Sequence, residues 1–466
     1  TSAVSVGDNA GLTVQGNYTV AVGRVAGQTS QGTSAVAVGT AAGQTSQGAR
    51  ATAVGYVSGY SEQGIHAVAV GTSSGMTSQG TYATAMGNQA GNVKQGASAT
   101  AVGAYAGQTS QGARAIAVGY VSGNSEQGID TVAVGTSSGM TSQGASTVAV
   151  GFKAGFSEQG AQAIAMGRLT GTTSQGANAV ALGYAAGNSE QGTSTAAVGY
   201  QAGQTSQGAS AVAVGYLAGN SEQGTHAVAL GVESGQTSQA THAIAVGYRA
   251  GYTEQKIHAT AIGVLAGSTK QGCSSVAVGR EAGQTSQGQN SVAVGYVAGQ
   301  TAQGQLATAL GYYAGQTAQG ASSVAIGREA AVNSQGASAV AIGVTAGHTS
   351  QGVNSVAMGN LAGLVAQGAN SVAIGVNAAR SNQGAEATAM GNAAGFTGQA
   401  ANGTALGSVA GYSNQGAQAT AVGREAAKHN QGGHATAVGY LAGSTSQGTY
   451  AVAIGNTAGQ TTQATE

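Results

Sequence analysis

The sequence is defined first by what it lacks. Its 466 residues include no proline, no tryptophan and one cysteine, Cys273, with only 14 basic and 14 acidic side chains. A single cysteine excludes an internal disulfide framework, and the absence of proline excludes a collagen-like chain. The balanced and scattered charges leave no basic patch for nucleic acid or for a membrane surface. The apolar runs are too short for a transmembrane helix, which needs about 20 apolar residues.

Glycine is what the chain has in excess, with 83 residues, and its spacing reveals a tandem repeat. Residues 1–464 divide into 29 blocks of sixteen without insertion or deletion. Block position 7 is Gly and position 15 is Gln in every block, and position 5 is Ala in all but the first. Gly also predominates at positions 11 and 16. We therefore predict one continuous domain over 1–464, with 465–466 beginning a further segment or tail.

A sixteen-residue period is too short for a pair of helices and fits one coil of a β-solenoid. Positions 2 to 6, as in residues 370–374, alternate small and β-branched residues and precede a glycine, which is typical of a strand ended by a turn. A second extended segment is predicted at positions 10 to 14, with Gln-Gly closing the coil. The fold class is therefore all-β, a parallel β-solenoid of 29 coils. The absence of proline fits, because inner strands donate their N–H groups to neighbouring coils.

The residue types also predict which side chains face the interior. Side chains alternate between the two faces of a strand, and odd positions 3, 5, 7, 11, 13 and 15 carry small or fixed residues suited to a narrow interior. Positions 4 and 6, which are mostly aliphatic, then form an outward apolar stripe. Soluble monomers rarely expose more than a few hundred Å² of contiguous apolar surface, so the stripe predicts an oligomer interface. Its representative residues are Val36, Val38, Val212, Val214, Val276, Val278, Val292, Val294, Val372 and Ile374. The opposite orientation, with positions 4 and 6 inside, predicts a monomer with a flat face of small residues.

Two further rows of the repeat are candidates for specific roles. The invariant Gln at position 15 predicts an in-register amide ladder, represented by Gln31, Gln47, Gln207, Gln223, Gln287 and Gln303. Nine of the 17 tyrosines fall at position 8. The tyrosines of neighbouring coils are candidates for contact with a receptor, a glycan or a neighbouring fibre, namely Tyr184, Tyr200, Tyr216, Tyr296 and Tyr312. The alternative, which we favour, is a self-stacking ladder that stabilises the coils.

The sequence offers little material for catalysis or metal binding. Asp8 and Asp130 are the only aspartates, so a Ser-His-Asp arrangement lacks its acid. His226, His242 and His258 occupy position 2 of three consecutive blocks. The repeat pattern supplies no row of carboxylates or thiolates to complete a metal site, so a surface ladder is favoured. We predict a non-enzymatic protein without cofactor or metal.

The block resembles the YadA-like head repeats of trimeric autotransporter adhesins and haemagglutinin-type surface proteins, and similar repeats occur in phage and giant-virus fibre proteins. The motif is clearest at residues 290–295, 354–359 and 370–375, which read Asn-Ser-Val-Ala-Val-Gly, Asn-Ser-Val-Ala-Met-Gly and Asn-Ser-Val-Ala-Ile-Gly. The resemblance implies a left-handed parallel β-roll with three chains side by side, displayed on a surface to bind host matrix or cells.

The expected function is therefore that of a rigid extracellular fibre or adhesin segment, located at a cell or virion surface. Its first partner is a copy of itself, in a homotrimer or filament, and a host surface, matrix protein or glycan is a further one. No nucleic acid partner and no membrane insertion are expected. The alternative is an ice-binding solenoid, in which a flat Thr or Ala face orders water.

Overall fold

The computed structural model describes residues 2–465. These form two compact units, 2–233 and 234–465, and each is described by itself. Both are built from strands, turns and bends, and no helix lies within residues 2–465. Each sixteen-residue coil contributes an A strand at positions 4 to 6 and a B strand that ends at position 15, apart from the last coil, which has only the A strand. Within each unit, residue i of a strand pairs in parallel with residue i+16 of the next coil, as Val340 pairs with Val356. The predicted all-β parallel solenoid with a sixteen-residue period is confirmed.

The strands of the unit 2–233 are two or three residues long. The A strands are Val4–Val6, Val20–Val22, Val36–Val38, Thr52–Val54, Val68–Val70, Thr84–Met86, Thr100–Val102, Ile116–Val118, Val132–Val134, Val148–Val150, Ile164–Met166, Val180–Leu182, Ala196–Val198, Val212–Val214 and Val228–Leu230. The B strands are Val14–Gln15, Ser30–Gln31, Ser46–Gln47, Ser61–Gln63, Thr77–Gln79, Val93–Gln95, Thr109–Gln111, Ser125–Gln127, Thr141–Gln143, Ser157–Gln159, Thr173–Gln175, Ser189–Gln191, Thr205–Gln207 and Ser221–Gln223.

The unit 234–465 repeats the same plan. Its A strands are Ile244–Val246, Thr260–Ile262, Val276–Val278, Val292–Val294, Thr308–Leu310, Val324–Ile326, Val340–Ile342, Val356–Met358, Val372–Ile374, Thr388–Met390, Thr404–Leu406, Thr420–Val422, Thr436–Val438 and Val452–Ile454. Its B strands are Thr237–Gln239, Thr253–Gln255, Thr269–Gln271, Thr285–Gln287, Thr301–Gln303, Thr317–Gln319, Asn333–Gln335, Thr349–Gln351, Val365–Gln367, Ser381–Gln383, Thr397–Gln399, Ser413–Gln415, His429–Gln431 and Thr445–Gln447.

The interior of each coil is filled mainly by alanine. Ala341 at position 5 and Ala346 at position 10 are both fully buried, and the same two rows supply most of the apolar core of each unit, interrupted where position 10 is Ser or Thr. The coil is too narrow for larger aliphatic side chains, so the valines and isoleucines of the A strand lie outside it. Val340 and Ile342 are each partly exposed on either side of buried Ala341. This is the first of the two predicted orientations.

The predicted strand limits are wrong at both segments of the coil. The A strand covers positions 4 to 6 rather than 2 to 6, because position 2 is a turn residue with a left-handed backbone, as at Asn370 with φ 55°. The second segment lies at positions 13 to 15 rather than 10 to 14. Position 13, predicted to face inward, is partly exposed at Thr349. A left-handed residue at position 14, Ser350 with φ 54°, interrupts the alternation, so position 13 does not share the inward orientation of Gln351.

The invariant glycine at position 7 has a physical cause. Gly343 has φ +133°, a conformation that is essentially restricted to glycine. A Cβ atom there would also lie 2.6 Å from the carbonyl oxygen of Gly359 in the next coil. At position 11 the φ value is close to +50°, and Ala331, with φ 49°, shows that alanine is accepted there. Position 7 therefore tolerates no side chain, whereas position 11 tolerates a methyl group.

The ends of the repeat lie partly outside the described residues. Of the two residues predicted to begin a further segment, Thr465 is exposed, and Glu466 lies outside the described residues, as does Thr1.

Candidate functional site

The side chains at positions 4 and 6 of the A strands form one outward surface in each unit, which we call the A face. The strand alternation that turns Ala inward at position 5 turns both neighbours outward. All ten residues predicted to form the interface lie on this face and are partly exposed, and Val214 is 37% exposed. Larger residues are more exposed, with Leu310 at 44% and Met390 at 42%.

The A face is large for a surface that remains in contact with water. Parallel strands lie about 4.8 Å apart, so a stripe some 10 Å wide over the coils of one unit covers on the order of 650 Å². No charged residue occurs at positions 4 or 6 in any of the 29 blocks. The largest apolar patch on a typical soluble monomer is about 300–600 Å² and is often functional. At about 650 Å², the A face of each unit therefore lies at or slightly above the upper end of that range.

The glutamine row lies inside the coils. Gln31 and Gln47 are 2% and 3% exposed, and Gln207, Gln223, Gln287 and Gln303 are similarly buried. Gln351 shows the bonding pattern: its Nε2 donates to the carbonyl oxygen of Val340, at 2.8 Å, and to that of Ser355 in the next coil, at 3.4 Å. Its Oε1 accepts from Nε2 of Gln335 at 3.0 Å. The predicted amide ladder is discontinuous: Gln207 donates to Gln223 and Gln287 to Gln303, whereas within the described residues Oε1 of Gln31 and of Gln47 accepts no hydrogen bond. Gln31 and Gln47 instead donate to the A-strand carbonyls of Val20 and Val36 in their own coils.

Replacing Gln351 by Glu should produce a pH-dependent loss of stability. The new carboxylate would be buried and would face the carbonyl oxygens of Val340 and Ser355, which can accept only from its protonated form. Its folded-state pKa is therefore raised above the unfolded value of about 4.3. The cost of burying the charge is absent below that value and develops as pH rises through the folded pKa. The resulting loss of stability reaches about 3 kcal/mol near pH 7.

Amide hydrogen exchange of the coil around residue 351, measured between pH 4 and 8, checks this expectation after correction for intrinsic exchange. Gln351→Leu is the matched control, because it removes the same hydrogen bonds without adding a charge. Its effect relative to the wild type should not vary with pH. Equal pH profiles for the two variants would contradict the proposed burial.

The tyrosine rows at position 8 stack along the coils. The ring centroids of Tyr184 and Tyr200 are 5.0 Å apart with 8° between planes, and those of Tyr200 and Tyr216 are 5.1 Å apart with 14°. Tyr296 and Tyr312 stack in the same way at 5.2 Å. The facing sides of these rings are thus occupied by each other, as the self-stacking alternative predicts, and the rows expose mainly ring edges.

Arginine precedes both rows, and this arrangement was not among the predictions from the sequence. The guanidinium of Arg168 lies 5.5 Å from the ring centroid of Tyr184, and that of Arg280 lies 5.5 Å from the ring of Tyr296. The signal was present in the sequence as an Arg sixteen residues before a Tyr. Each row therefore begins with a cation–π contact on its first ring.

The ring of Tyr313 packs edge-on against the second row, and a hydrogen bond with Tyr296 raises the pKa of Tyr313.

Arg114 and Asp130 form a bidentate ion pair between position 2 of adjacent coils. Arg114 Nε and Nη2 lie 2.5 and 2.7 Å from the two carboxylate oxygens of Asp130. Both side chains are exposed to solvent. The hydrogen bonds from Arg114 hold the pKa of Asp130 below its usual value.

An NMR titration should therefore find the pKa of Asp130 below that of an unperturbed aspartate. The lowered folded-state pKa means that the pair's contribution to stability is present above the unfolded pKa. It is lost as pH falls through the folded one. In the Arg114→Ala variant the Asp130 pKa should return towards its ordinary value, whereas Arg50→Ala, in a distant coil, should leave it unchanged. An unshifted Asp130 pKa in the wild type would mean that the pair does not persist in solution.

The histidine row contains a stacked pair. The rings of His242 and His258 lie 5.0 Å apart with 13° between their planes, and His226 belongs to the unit 2–233. Residues 2–465 contain no group of three or more His, Cys, Asp or Glu side chains placed to hold a metal ion. Within the same residues there is also no helix of the length and apolarity needed to cross a membrane.

Comparison with models of known protein families gives no match, and comparison with curated protein sequences gives none either.

Proposed function

We propose that the protein is a non-enzymatic structural segment of an extracellular fibre or adhesin at a cell or virion surface. The observation that carries the proposal is the A face, an uncharged apolar surface that runs the length of each unit and is left open to water. A face of this size is stabilised when another surface covers it. The surface that matches it best is the A face of another copy, which is equally apolar and has the same spacing between coils.

The proposed assembly is a homo-oligomer with parallel neighbouring chains, or a filament. The resemblance of residues 370–375 to YadA-like head repeats favours three chains. Its mechanism is mechanical and multivalent: coils add length in fixed steps, and rows such as Tyr184, Tyr200 and Tyr216 repeat a weak contact many times. A host surface, a matrix protein or a glycan is the proposed external partner, with no part for nucleic acid or membrane insertion.

The molecular mass in solution tests the assembly directly. We expect light scattering to give a multiple of the 44.2 kDa chain mass. A monodisperse monomer across the micromolar range would overturn the role of the A face. The measurement should be repeated at high salt, because an apolar interface without charges should not weaken there.

An ice-binding solenoid is the second candidate, and the observation that favours it is the threonine row at position 13. Thr237 and Thr253 are paired in register and partly exposed on the B strands. Their hydroxyls donate to the carbonyl oxygens of Tyr252 and Ser268 in the following coils, at 3.2 and 3.3 Å. Thermal hysteresis by a monomeric protein would decide for this function. An oligomer without hysteresis would decide for the fibre.

A further inference from the structure

Long stretches of the A face carry only aliphatic residues at positions 4 and 6, and there apolar contact alone does not determine how two copies align. Val324, Val340, Val356 and Val372 occupy position 4 of four consecutive coils and are paired in register. A neighbouring copy displaced by one coil would again place Val against Val. The apolar area lost by such a slip is only that of the uncovered end coil. An assembly with one defined alignment therefore needs a feature that breaks the repeat.

Such a feature is present in the unit 234–465. Position 4 is threonine in four consecutive coils, at Thr388, Thr404, Thr420 and Thr436, and these residues are paired in register along the A strands. We call these four residues the Thr block. No other run of four threonines occurs at position 4 in the 29 blocks. In this unit the remaining threonines at position 4 are the isolated Thr260 and Thr308.

The hydroxyls of the Thr block are free to bond to a partner. All four side chains are partly exposed, and none makes a hydrogen bond within the described chain. The hydroxyl of Ser355, at position 3, is by contrast used inside the coil and donates to the carbonyl oxygen of Gly352 at 2.7 Å. Covering the A face with a purely apolar surface would leave the four hydroxyls buried without partners, which is unfavourable.

We infer that the Thr block sets the axial register between copies of this chain, by hydrogen bonding between the threonine hydroxyls of neighbouring A faces. The inference rests on the proposed function, because it requires the A face to be covered by a second copy. With parallel chains and no displacement, the block of one copy lies at the height of the block of its neighbour. A slip of four coils would instead place all four hydroxyls against Val324, Val340, Val356 and Val372.

Register also decides whether the assembly closes. Rotation about an axis parallel to the direction in which the coils stack brings the same coil of each chain to the same height. A closed ring of two or three chains therefore has no axial displacement between neighbours. A displaced contact repeats from chain to chain and generates an open, staggered assembly. The Thr block therefore favours a closed oligomer over a staggered filament. Each hydroxyl left unpaired should weaken a displaced arrangement on the order of tenfold.

Two quadruple variants separate the effect of the threonine hydroxyls from the effect of the side-chain shape. Replacing the Thr block by Val (T388V/T404V/T420V/T436V) keeps the branched shape and removes the hydroxyls. Replacing it by Ser (T388S/T404S/T420S/T436S) keeps the hydroxyls. A spin label at Ser338→Cys, an exposed turn residue, in a Cys273→Ser background reports the distance between equivalent points of neighbouring copies by pulsed EPR. The full chain is used throughout.

We expect one distance between labels in the wild-type background and in the Ser variant. The Val variant should still assemble, as light scattering would show, but with added populations at longer distances. These correspond to displacements of about 4.8 Å per coil, or about 19 Å for four coils. A single unchanged distance in the Val variant would overturn the role of the Thr block and leave the assembly intact. A monomeric wild type would overturn the proposed function and this inference together, and the mass measurement distinguishes the two results.

Discussion

Replacing Gly343 by Ala should unfold the coils around it, with a loss of local stability of about 3 kcal/mol or more. The backbone of Gly343 has φ +133°, and the added Cβ would lie 2.6 Å from the carbonyl oxygen of Gly359. Neither the backbone conformation nor the close contact can relax independently, because the carbonyl belongs to the next coil of the parallel stack. Amide hydrogen exchange resolved along the chain should show faster exchange on both sides of the substitution, and less effect with distance from it.

Two other glycines provide matched controls for this substitution. Gly433→Ala, at position 1, would place its Cβ 3.5 Å from the nearest atom, the carbonyl oxygen of Ala417, which is ordinary contact, so the variant should keep or slightly gain stability. Gly347→Ala, at position 11, should be intermediate, since alanine already stands at that position in three blocks, for example Ala331. An equal effect of all three substitutions would show that close stacking at position 7 is not what restricts it to glycine.

The double substitution Val212→Asp/Val214→Asp should dissociate the oligomer and leave the β-structure nearly unchanged. Both side chains lie on the A face and point away from the interior, where Ala213 is fully buried. An isolated chain can keep the new carboxylates in water. An oligomer would have to bury them without a cation, because positions 4 and 6 carry no charge in any block.

Light scattering and circular dichroism together check this expectation. The control Gln204→Glu/Ser210→Asp adds the same charge in neighbouring turns away from the A face and should leave the mass unchanged. Ser210 is an exposed turn residue, and Asp130 already occupies the same block position elsewhere. If the Asp variant remained an oligomer, the A face would not be the interface.

The repeat and the direction of the A-strand side chains could be predicted from the sequence because they depend on residue size. Ala341 occupies the narrow interior, and Val340 and Ile342 do not fit there, so alternation along a strand was enough to orient all three. The invariant glutamines were also recognisable, since a fixed polar residue within a repeat needs a fixed set of partners. The bonding of Gln351 to Val340 and Ser355 supplies them.

The left-handed turn residues could not be predicted in the same way. Position 14 adopts a positive φ whether it holds Ser350, Glu254 or Lys270, so no residue type marks it. Serine itself is left-handed at this position in Ser78 but not in Ser30 or Ser46, so the left-handed turn is a feature of the particular coil and not of the residue type. This displaced the predicted strand limits and reversed the orientation expected for position 13. At position 2, asparagines such as Asn370 were a usable signal, because Asn tolerates the left-handed region better than most residues.

In-register stacking also allows the number of sixteen-residue blocks to change without a change of fold. Every junction between coils in a unit is made by the same backbone pairing of residue i with residue i+16, so the loss or gain of one complete block restores the same junction. Residues 56–80 and 120–144 differ at only three positions and lie four blocks apart, the pattern that duplication in steps of whole blocks leaves. Alleles of different length could therefore arise without a new fold, and the length of the molecule becomes a trait on which selection can act directly.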